Sequence, residues 1–460
     1  MACGEDDEEI RILFTGDILL SRQVKKEYDA GRKSPWEDLK PLFQTADLVI
    51  GNLEGAVGTV SETVDPDGIP LFAIDSADIS LLADAGFHVI GIENNHIYDL
   101  GITGYQNTVH QLLKKDLHPV SFEHSPYFLS VKGLVLAIIT INTVPRKNNF
   151  NNPLYTIELE QKLRLARTLA NLVVVSIHWG SELLDWPSKS QREAAAWLVA
   201  QGADIIVGSH PHVVQNQEMI DGKPVFFSLG NHLFDQKYPA TKNGLIVELT
   251  VKNGKYQCKG IQTRTKPHSF YPEIFYPETF DPESEASVSN PLPSLSYNSK
   301  LLNINGYDLV PVSVFEQDKT KIILQGYRND RLIWRSHPMP LVYLAVSQLD
   351  GKEDSLFALL NYYSPIDKGI NMRPYVYGVD SQGLQAKWRG SALAFPLLDA
   401  FISPQNPRIL CALHRGDAFI ALDETNTQTR IVAYEWNGFG FKGLPDSVAH
   451  HYFHAAHLEK

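Results

Sequence analysis

Residues 202–214 read GADIIVGSHPHVV, a run of Ile and Val that ends in His210-Pro211-His212. Two imidazoles one residue apart at the end of a buried strand suggest a divalent metal, for which neutral imidazole is a common ligand. An ion needs more donors than these two, and other apolar runs supply them. IRILFT (10–15) leads into Gly16-Asp17, and DLVIG (47–51) into Asn52-Leu53-Glu54. HVIGI (88–92) is followed by Asn94-Asn95-His96, with Asp99 three residues on, and LVVVSI (172–177) ends at His178-Trp179-Gly180. Each feature alone is ordinary: a strand-end Asp usually caps a helix or turn, and a lone His is usually a hydrogen-bonded core or surface residue. Open α/β sheets carry their sites at the carboxyl ends of strands, so five such ends delivering Asp, Glu, Asn and His point to one site.

That donor set selects a chemistry. Cysteine takes no part, because Cys3, Cys258 and Cys411 are too few and too scattered for a thiolate site or a disulfide framework. Imidazole, carboxylate and amide oxygen together suit Mn, Fe or Zn better than Mg. A carboxylate such as Glu54 can bridge two ions. Two ions about 3.5–4 Å apart can activate a water and clamp both the attacking and the leaving oxygen of a phosphate ester.

The positioning elements follow from the patterning. Between the β-branched runs lie amphipathic stretches near 36–45, 77–86, 102–114, 157–170 and 189–201. Such alternation indicates βαβ units whose strands are buried on both faces. GLIVELTVKNGKYQCKGIQT (244–263) reads as a hairpin turning at Asn253-Gly254. The 460-residue length predicts two domains. Residues 1–9 form an acidic N-terminus, 10–266 the α/β domain, 267–300 a linker rich in Pro, Ser and aromatics, and 301–460 a β-rich domain. In the last, Trp334, Trp388 and Trp436 recur at about the spacing of a propeller blade, which predicts a partial propeller or an irregular sandwich.

Composition narrows the partners. A net charge of −12 with scattered basic residues argues against nucleic acid, and no apolar run reaches membrane-spanning length. MACGEDDEE has no apolar signal segment. A cysteine near the start, followed by an acidic tether, fits the mature end of a bacterial lipoprotein held in the cell envelope through Cys3. A frayed cytosolic terminus fits equally well. The histidines of HHYFHAAH (450–457) read as a solvated end.

FTGDILLSR, GNLEGAV, NNHIYDLG, IHWGSE, GADIIVGSHPHVVQ and FSLGNHLFDQ resemble, in order, the motifs of the capsule-synthesis (CapA, poly-γ-glutamate synthesis) family, a branch of the calcineurin-like metallophosphoesterase superfamily. The resemblance spans roughly residues 10–250 and does not reach the C-terminal domain. It implies a four-layer α/β/β/α sandwich with a centre of two divalent ions. Carried over, Asp17 and His212 belong to one ion and Asn95, His178 and His210 to the other, with Glu54 bridging. His96 becomes the proton donor to the leaving group, oriented by Asp99. Arg22 faces an anionic group of the substrate, and Asn52 and His232 join it on the substrate side. Three positions depart from the pattern. Leu19 stands where the superfamily has a histidine, Ser209 where the family commonly has one, and His232 where phenylalanine is usual. His232 is then either an extra imidazole at the rim or a surface histidine.

The implied activity is hydrolysis of a phosphoester in capsule, poly-γ-glutamate or related envelope-polymer metabolism, on an anionic small molecule or polymer. A non-catalytic accessory of the capsule or poly-γ-glutamate synthesis and export machinery, and a γ-glutamyl amide hydrolase, are the alternatives.

Overall fold

The computed structural model describes residues 8–31, 33–59, 64, 70–145, 152–275, 289–291, 302–316, 319–364, 369–389, 393, 397–415, 429–437, 440–445 and 447–452. Cys3, residues 276–288 and 292–300 of the linker, and residues 453–460 lie outside them. The chain divides into two compact units, Met1–Leu154 with Leu172–Tyr297, and Tyr155–Asn171 with Asn298–Lys460.

The first unit is α/β and holds two large sheets. One runs in the order Pro272–Ile274, Lys255–Thr265, Asn243–Lys252, Ile10–Ile18, Leu48–Leu53, Val89–Gly91, His118–Val120. The other runs Gln217–Ile220, Lys223–Phe226, Ile205–Ser209, Leu172–His178, Leu134–Asn142, Tyr127–Val131. A narrow cavity lined by Phe14, Ile50 and Val89 from the first and by Ile138 and Val207 from the second shows the sheets face to face. Helix Gly101–Leu113 packs against the His118–Val120 edge, and helix Lys189–Ala200 against Gln217–Ile220.

All five polar-ended runs are strands, paired in parallel with their neighbours. They do not share one sheet. The Asp17, Glu54 and Asn95 segments leave the first sheet, and the His178 and His210 segments leave the second. The site therefore lies where the carboxyl ends of two facing parallel stacks meet. The sequence pattern does not signal the buried strand Leu134–Asn142, nor helix Arg22–Gly31. The hairpin turning at Asn253-Gly254 is present, its strands paired from Asn243↔Arg264 to Lys252↔Lys255. Part of the segment read as linker is strand: Pro272–Ile274 and Ser289–Pro291 both pair with Lys255–Thr265 and so cover a sheet edge.

The second unit contains three four-stranded antiparallel sheets in chain order, Asn303–Arg335, Leu341–Arg389 and Leu397–Gly443, together with helix Ile157–Leu169. Each sheet is a meander, as a propeller blade would be. Trp334 and Trp388 lie on fourth strands, whereas Trp436 lies on a third strand, so the sequence echo slips by one strand in the last sheet. Tyr343, Phe357 and Val376 of the second sheet and Leu397, Phe401 and Leu410 of the third share one core.

The helix is specified locally. Thr156 caps it by accepting from the Leu159 N–H, Glu158 and Glu160 sit in the first turn, and Leu159, Leu163, Ala166 and Leu169 form its buried stripe. The Arg164 guanidinium donates to both Asp399 oxygens, at 3.1 and 2.6 Å, and lies over the Tyr343 and Phe401 rings. Gln161 donates to the Leu398 carbonyl and to Asp399.

His232 is not at a rim. It is buried among Trp36, Phe43 and Phe87, and its Nε2 accepts from the Trp36 indole N–H at 2.9 Å. Burial holds the ring neutral by lowering its pKa to about 3.

These contacts set two expectations for stability. Arg164→Ala should destabilise the second unit by about 2–3 kcal/mol, since it removes a charge-assisted double hydrogen bond together with ring packing. Arg164→Lys should recover less than half of that loss, because lysine lacks the planar fork. Urea unfolding of both variants tests this, and unchanged midpoints would refute it. The other expectation concerns acid. As pH falls below about 6.5 the unfolded chain takes up a proton that folded His232 refuses, so this contribution is intact above pH 6.5 and is lost toward pH 3. From pH 7 to 5 the unfolding free energy of His232→Phe should therefore gain on the wild type by about 2 kcal/mol. Parallel pH profiles would mean that His232 is protonated in the folded protein.

Candidate metal centre

Asp17 is fully buried in the irregular end of its strand, where the register with Leu48–Leu53 shifts. Its carboxylate accepts from Asn52 Nδ2 at 2.9 Å and from the His210 backbone N–H at 3.2 Å, and His212 Nδ1 stands 3.3 Å away. The preceding residue must be glycine, since a Cβ on Gly16 would lie 2.0 Å from the Gly230 carbonyl oxygen. Gly208 holds the matching position in the second sheet, where a Cβ would lie 1.9 Å from the Phe227 carbonyl oxygen. Both strand ends thus pack closely on the backbone of the same 227–230 segment.

Glu54 is also fully buried, and neither of its carboxylate oxygens accepts a hydrogen bond among the described residues. It lies 3.8 Å from His178 Nε2 and 3.9 Å from His212 Nε2. Burial, then the charge of Asp17, pushes its pKa well above the carboxylate range, while His212 pulls the other way. Burial alone would depress His212, but Glu54 and Asp17 outweigh it and lift the ring to about 9. His210 is held down at about 4, first by burial and then by the neighbouring His212, and its buried Nδ1 has no hydrogen-bond partner among the described residues. Orphaned carboxylate oxygens and an orphaned imidazole nitrogen, all buried, are donors of the kind that a divalent cation satisfies.

His178 presents Nε2 to Asn95 Oδ1 at 2.8 Å, while its Nδ1 bonds Ser209 Oγ at 2.9 Å. Ser209, a departure from the family pattern, thus orients an imidazole rather than ligating. Asn231 Oδ1 holds His212 Nδ1 at 2.9 Å in the same way. Such partners fix the ring and tautomer of a ligating histidine. Asn231 carries no signal of its own in the sequence, where the histidine beside it suggests the chemistry; that histidine lies in the aromatic cage instead. Asn52 bonds Asp17 rather than facing open space, and Asn94 supports it from behind, donating to the Leu53 carbonyl at 2.8 Å.

His96 and Asp99 pair, Nδ1 to Oδ2, at 2.8 Å. Asp99 also accepts from the Phe72 N–H, and the Phe72 ring stacks on His96 with centroids 3.8 Å apart. Arg22 is ion-paired with buried Asp235 at 3.1 Å, and its guanidinium lies 5.1 Å from the Phe72 ring centroid. Leu19 is buried in a small apolar cluster with Phe72 and Phe234.

Among the described residues, His, Asp and Glu ligand atoms within 4.8 Å of one another form two sets, Asp17 with Glu54 and His178, and Glu182 with His210 and His212. The family resemblance sorts the same residues differently, placing Asp17 with His212. Glu182 lies in the IHWGSE motif without a role in the sequence reading, because no β-branched run ends at it.

The bacterial capsule synthesis protein PGA_cap family model matches residues 11–236. The PGA biosynthesis protein CapA of Bacillus subtilis (strain 168) is 30% identical over 262 residues, 54% of this chain and 69% of that protein. The capsule biosynthesis protein CapA of Bacillus anthracis is 28% identical over 271 residues, 54% of this chain and 65% of that protein. Among solved structures, a hypothetical protein from Thermus thermophilus aligns at 18% identity and TM-score 0.36, over 58% of this chain and 99% of its own. Vps29 from Entamoeba histolytica, complexed with zinc, aligns at 12% identity and TM-score 0.24, over 50% and 97%. Motif order, strand-end geometry and the match to a CapA protein agree: this chain belongs to the CapA family of bacterial capsule synthesis proteins.

Proposed function

We propose that this protein is a metal-dependent hydrolase that cleaves a phosphoester or related anionic bond in the metabolism of a capsule or poly-γ-glutamate-type polymer. The observation that carries this reading is the Glu54 carboxylate, buried between two histidines with no hydrogen bond to either oxygen among the described residues. The polymer setting comes from the names of the two relatives, a PGA biosynthesis and a capsule biosynthesis protein. Asp17, Glu54, Asn95, His178, His210 and His212 would hold the divalent ions, which when bound would supply a Lewis acid and lower the pKa of water.

The chain's own side chains do the rest. His96 gives its Nδ1 to Asp99, which leaves Nε2 as the atom that delivers a proton to the departing oxygen. Phe72, stacked on the ring, fixes its plane. Arg22 keeps guanidinium donors beyond the Asp235 pair for an anionic group of the substrate. One observation favours the second reading, a non-catalytic accessory that keeps the metal for structure: Leu19 places an apolar side chain where a further ligand is expected.

Metal analysis combined with a screen of phosphoesters and γ-glutamyl peptides, with and without chelator, separates these readings. Turnover of neither class by metal-loaded protein would leave the accessory role. Two variants test the residue assignments. His178→Ala should lower metal content, whereas His96→Ala should keep its metal and lose about 10²–10⁴ in rate. Equal metal loss in both variants would overturn the role given to His96.

A further inference from the structure

The strand end at Asp17 supplies a single donor to the metal centre proposed above. Leu19 is turned into the Phe72–Phe234 cluster, and Phe234 in turn packs against the His212 ring with centroids 4.6 Å apart. Among the described residues that side of the centre is apolar and offers no further ligand.

A carboxylate does come from the other side. Glu182 lies on the loop that follows the His178 strand, and one of its oxygens is within 4.8 Å of ligand nitrogens of both His210 and His212. Its side chain is exposed, so nothing about burial forces it there. The backbone does. The Trp179 N–H donates to the Ser209 carbonyl at 3.2 Å, and the Leu183 N–H to the Pro211 carbonyl at 2.9 Å, so the loop is fastened to the His210–His212 segment on both sides of Glu182. Leu183 holds a left-handed φ of 62° to make that second bond, a conformation that costs about 1–3 kcal/mol in a residue of this type. Gln215 secures the loop further on, donating to the Leu184 carbonyl at 2.8 Å. The buried Nδ1 of His210, without a hydrogen-bond partner among the described residues, is an independent sign that this histidine takes a ligand.

We propose that Glu182 is a metal ligand of this centre and supplies, from the loop after the His178 strand, the donor that Leu19 withholds. This rests on the metal-dependent reading above. As an exposed ligand Glu182 stands on the solvent side, where a substrate oxygen can displace or join it without disturbing the buried set.

The experiment is metal binding to chelator-stripped protein, by calorimetry with Mn²⁺ and Zn²⁺ and by the visible spectrum with Co²⁺, on wild type, Glu182→Ala, Glu182→Gln and Glu182→Asp. An exposed position leaves the stability of the stripped protein within the scatter of surface substitutions. Expected is a loss of about tenfold or more in affinity for at least one ion in the Ala and Gln variants. A residue that only orients a ligand can cost as much, about 10–100-fold, so the spectrum decides between the two roles. The cobalt spectrum should change in the Ala and Gln variants and be partly restored in Asp, and the metal-induced rise in Tm should shrink. Wild-type affinity and spectrum in the Ala and Gln variants would overturn the proposal. So would weaker binding with an unaltered cobalt spectrum, which would make Glu182 a neighbouring charge and not a ligand. A wild-type protein that takes up no ion would instead overturn the metal-dependent reading itself.

Discussion

Two carboxylates, Asp17 and Glu54, lie close together in the interior, and the surrounding structure is organised by the need to keep them there. Removing a charge from water costs several kcal/mol unless partners replace the lost hydration. Asp17 has such partners in Asn52, His210 and His212. Glu54 accepts no hydrogen bond among the described residues, and imidazoles of His178 and His212 stand near it. The consequence is visible in both signs, a carboxyl pushed well up and a histidine lifted to about 9. A divalent ion resolves the conflict more completely than a protonated histidine, because it brings two charges and accepts several donors at once. Glycines stand at 16 and 208 because both strand ends pack against the backbone of the 227–230 segment, where a Cβ would collide with the Gly230 and Phe227 carbonyl oxygens.

Much of this was legible because it is local. A β-branched run followed by Asp, Glu, Asn or His is a pattern in a short window, and Asp17, Glu54, Asn95, His178, His210 and His212 could each be picked out from theirs. The division of those strands between two sheets was not, since Leu134–Asn142, the strand beside the His178 strand, ends without a ligand and so left no mark among the motifs. Supporting residues were harder still. Ser209 and Asn231 act by orienting rings contributed by other segments, His178 across 31 residues and His212 across 19, and nothing in their own surroundings announces this. His232 shows the converse error. Its type suggested chemistry, but its position beside Trp36, Phe43 and Phe87 makes it a core residue whose Nε2 is satisfied by an indole.

The second unit illustrates a different limit. Its blade-like sheets follow from strand-rich sequence and recurrent tryptophans, and three sheets of four strands are what that length accommodates. Its helix, however, comes from the middle of the first unit's chain, between the Leu134–Asn142 and Leu172–His178 strands. In sequence it is one more amphipathic stretch in a βαβ alternation. Its allegiance is set by Arg164 and Gln161 meeting Asp399 and Leu398, 235 and 237 residues later, a pairing that no local window contains.

The ligand-bearing backbone is itself strained, which bears on how the centre works. His210 and His212 both have left-handed φ values, 95° and 58°, on either side of Pro211. A β-region backbone would be expected before proline, and non-glycine residues in left-handed conformations cost about 1–3 kcal/mol each. The strain persists because the segment is tied on several sides, by the His210 N–H to Asp17, by Asn231 to the His212 ring and by Leu183 to the Pro211 carbonyl. With the rings already aimed, little conformational entropy remains to be lost when a ligand or substrate arrives. The rigid side of the centre is thus the buried one, built from strand ends and a strained His-Pro-His corner. The exposed side is the loop carrying Glu182, which is fastened to that corner through the Leu183 N–H and the Pro211 carbonyl.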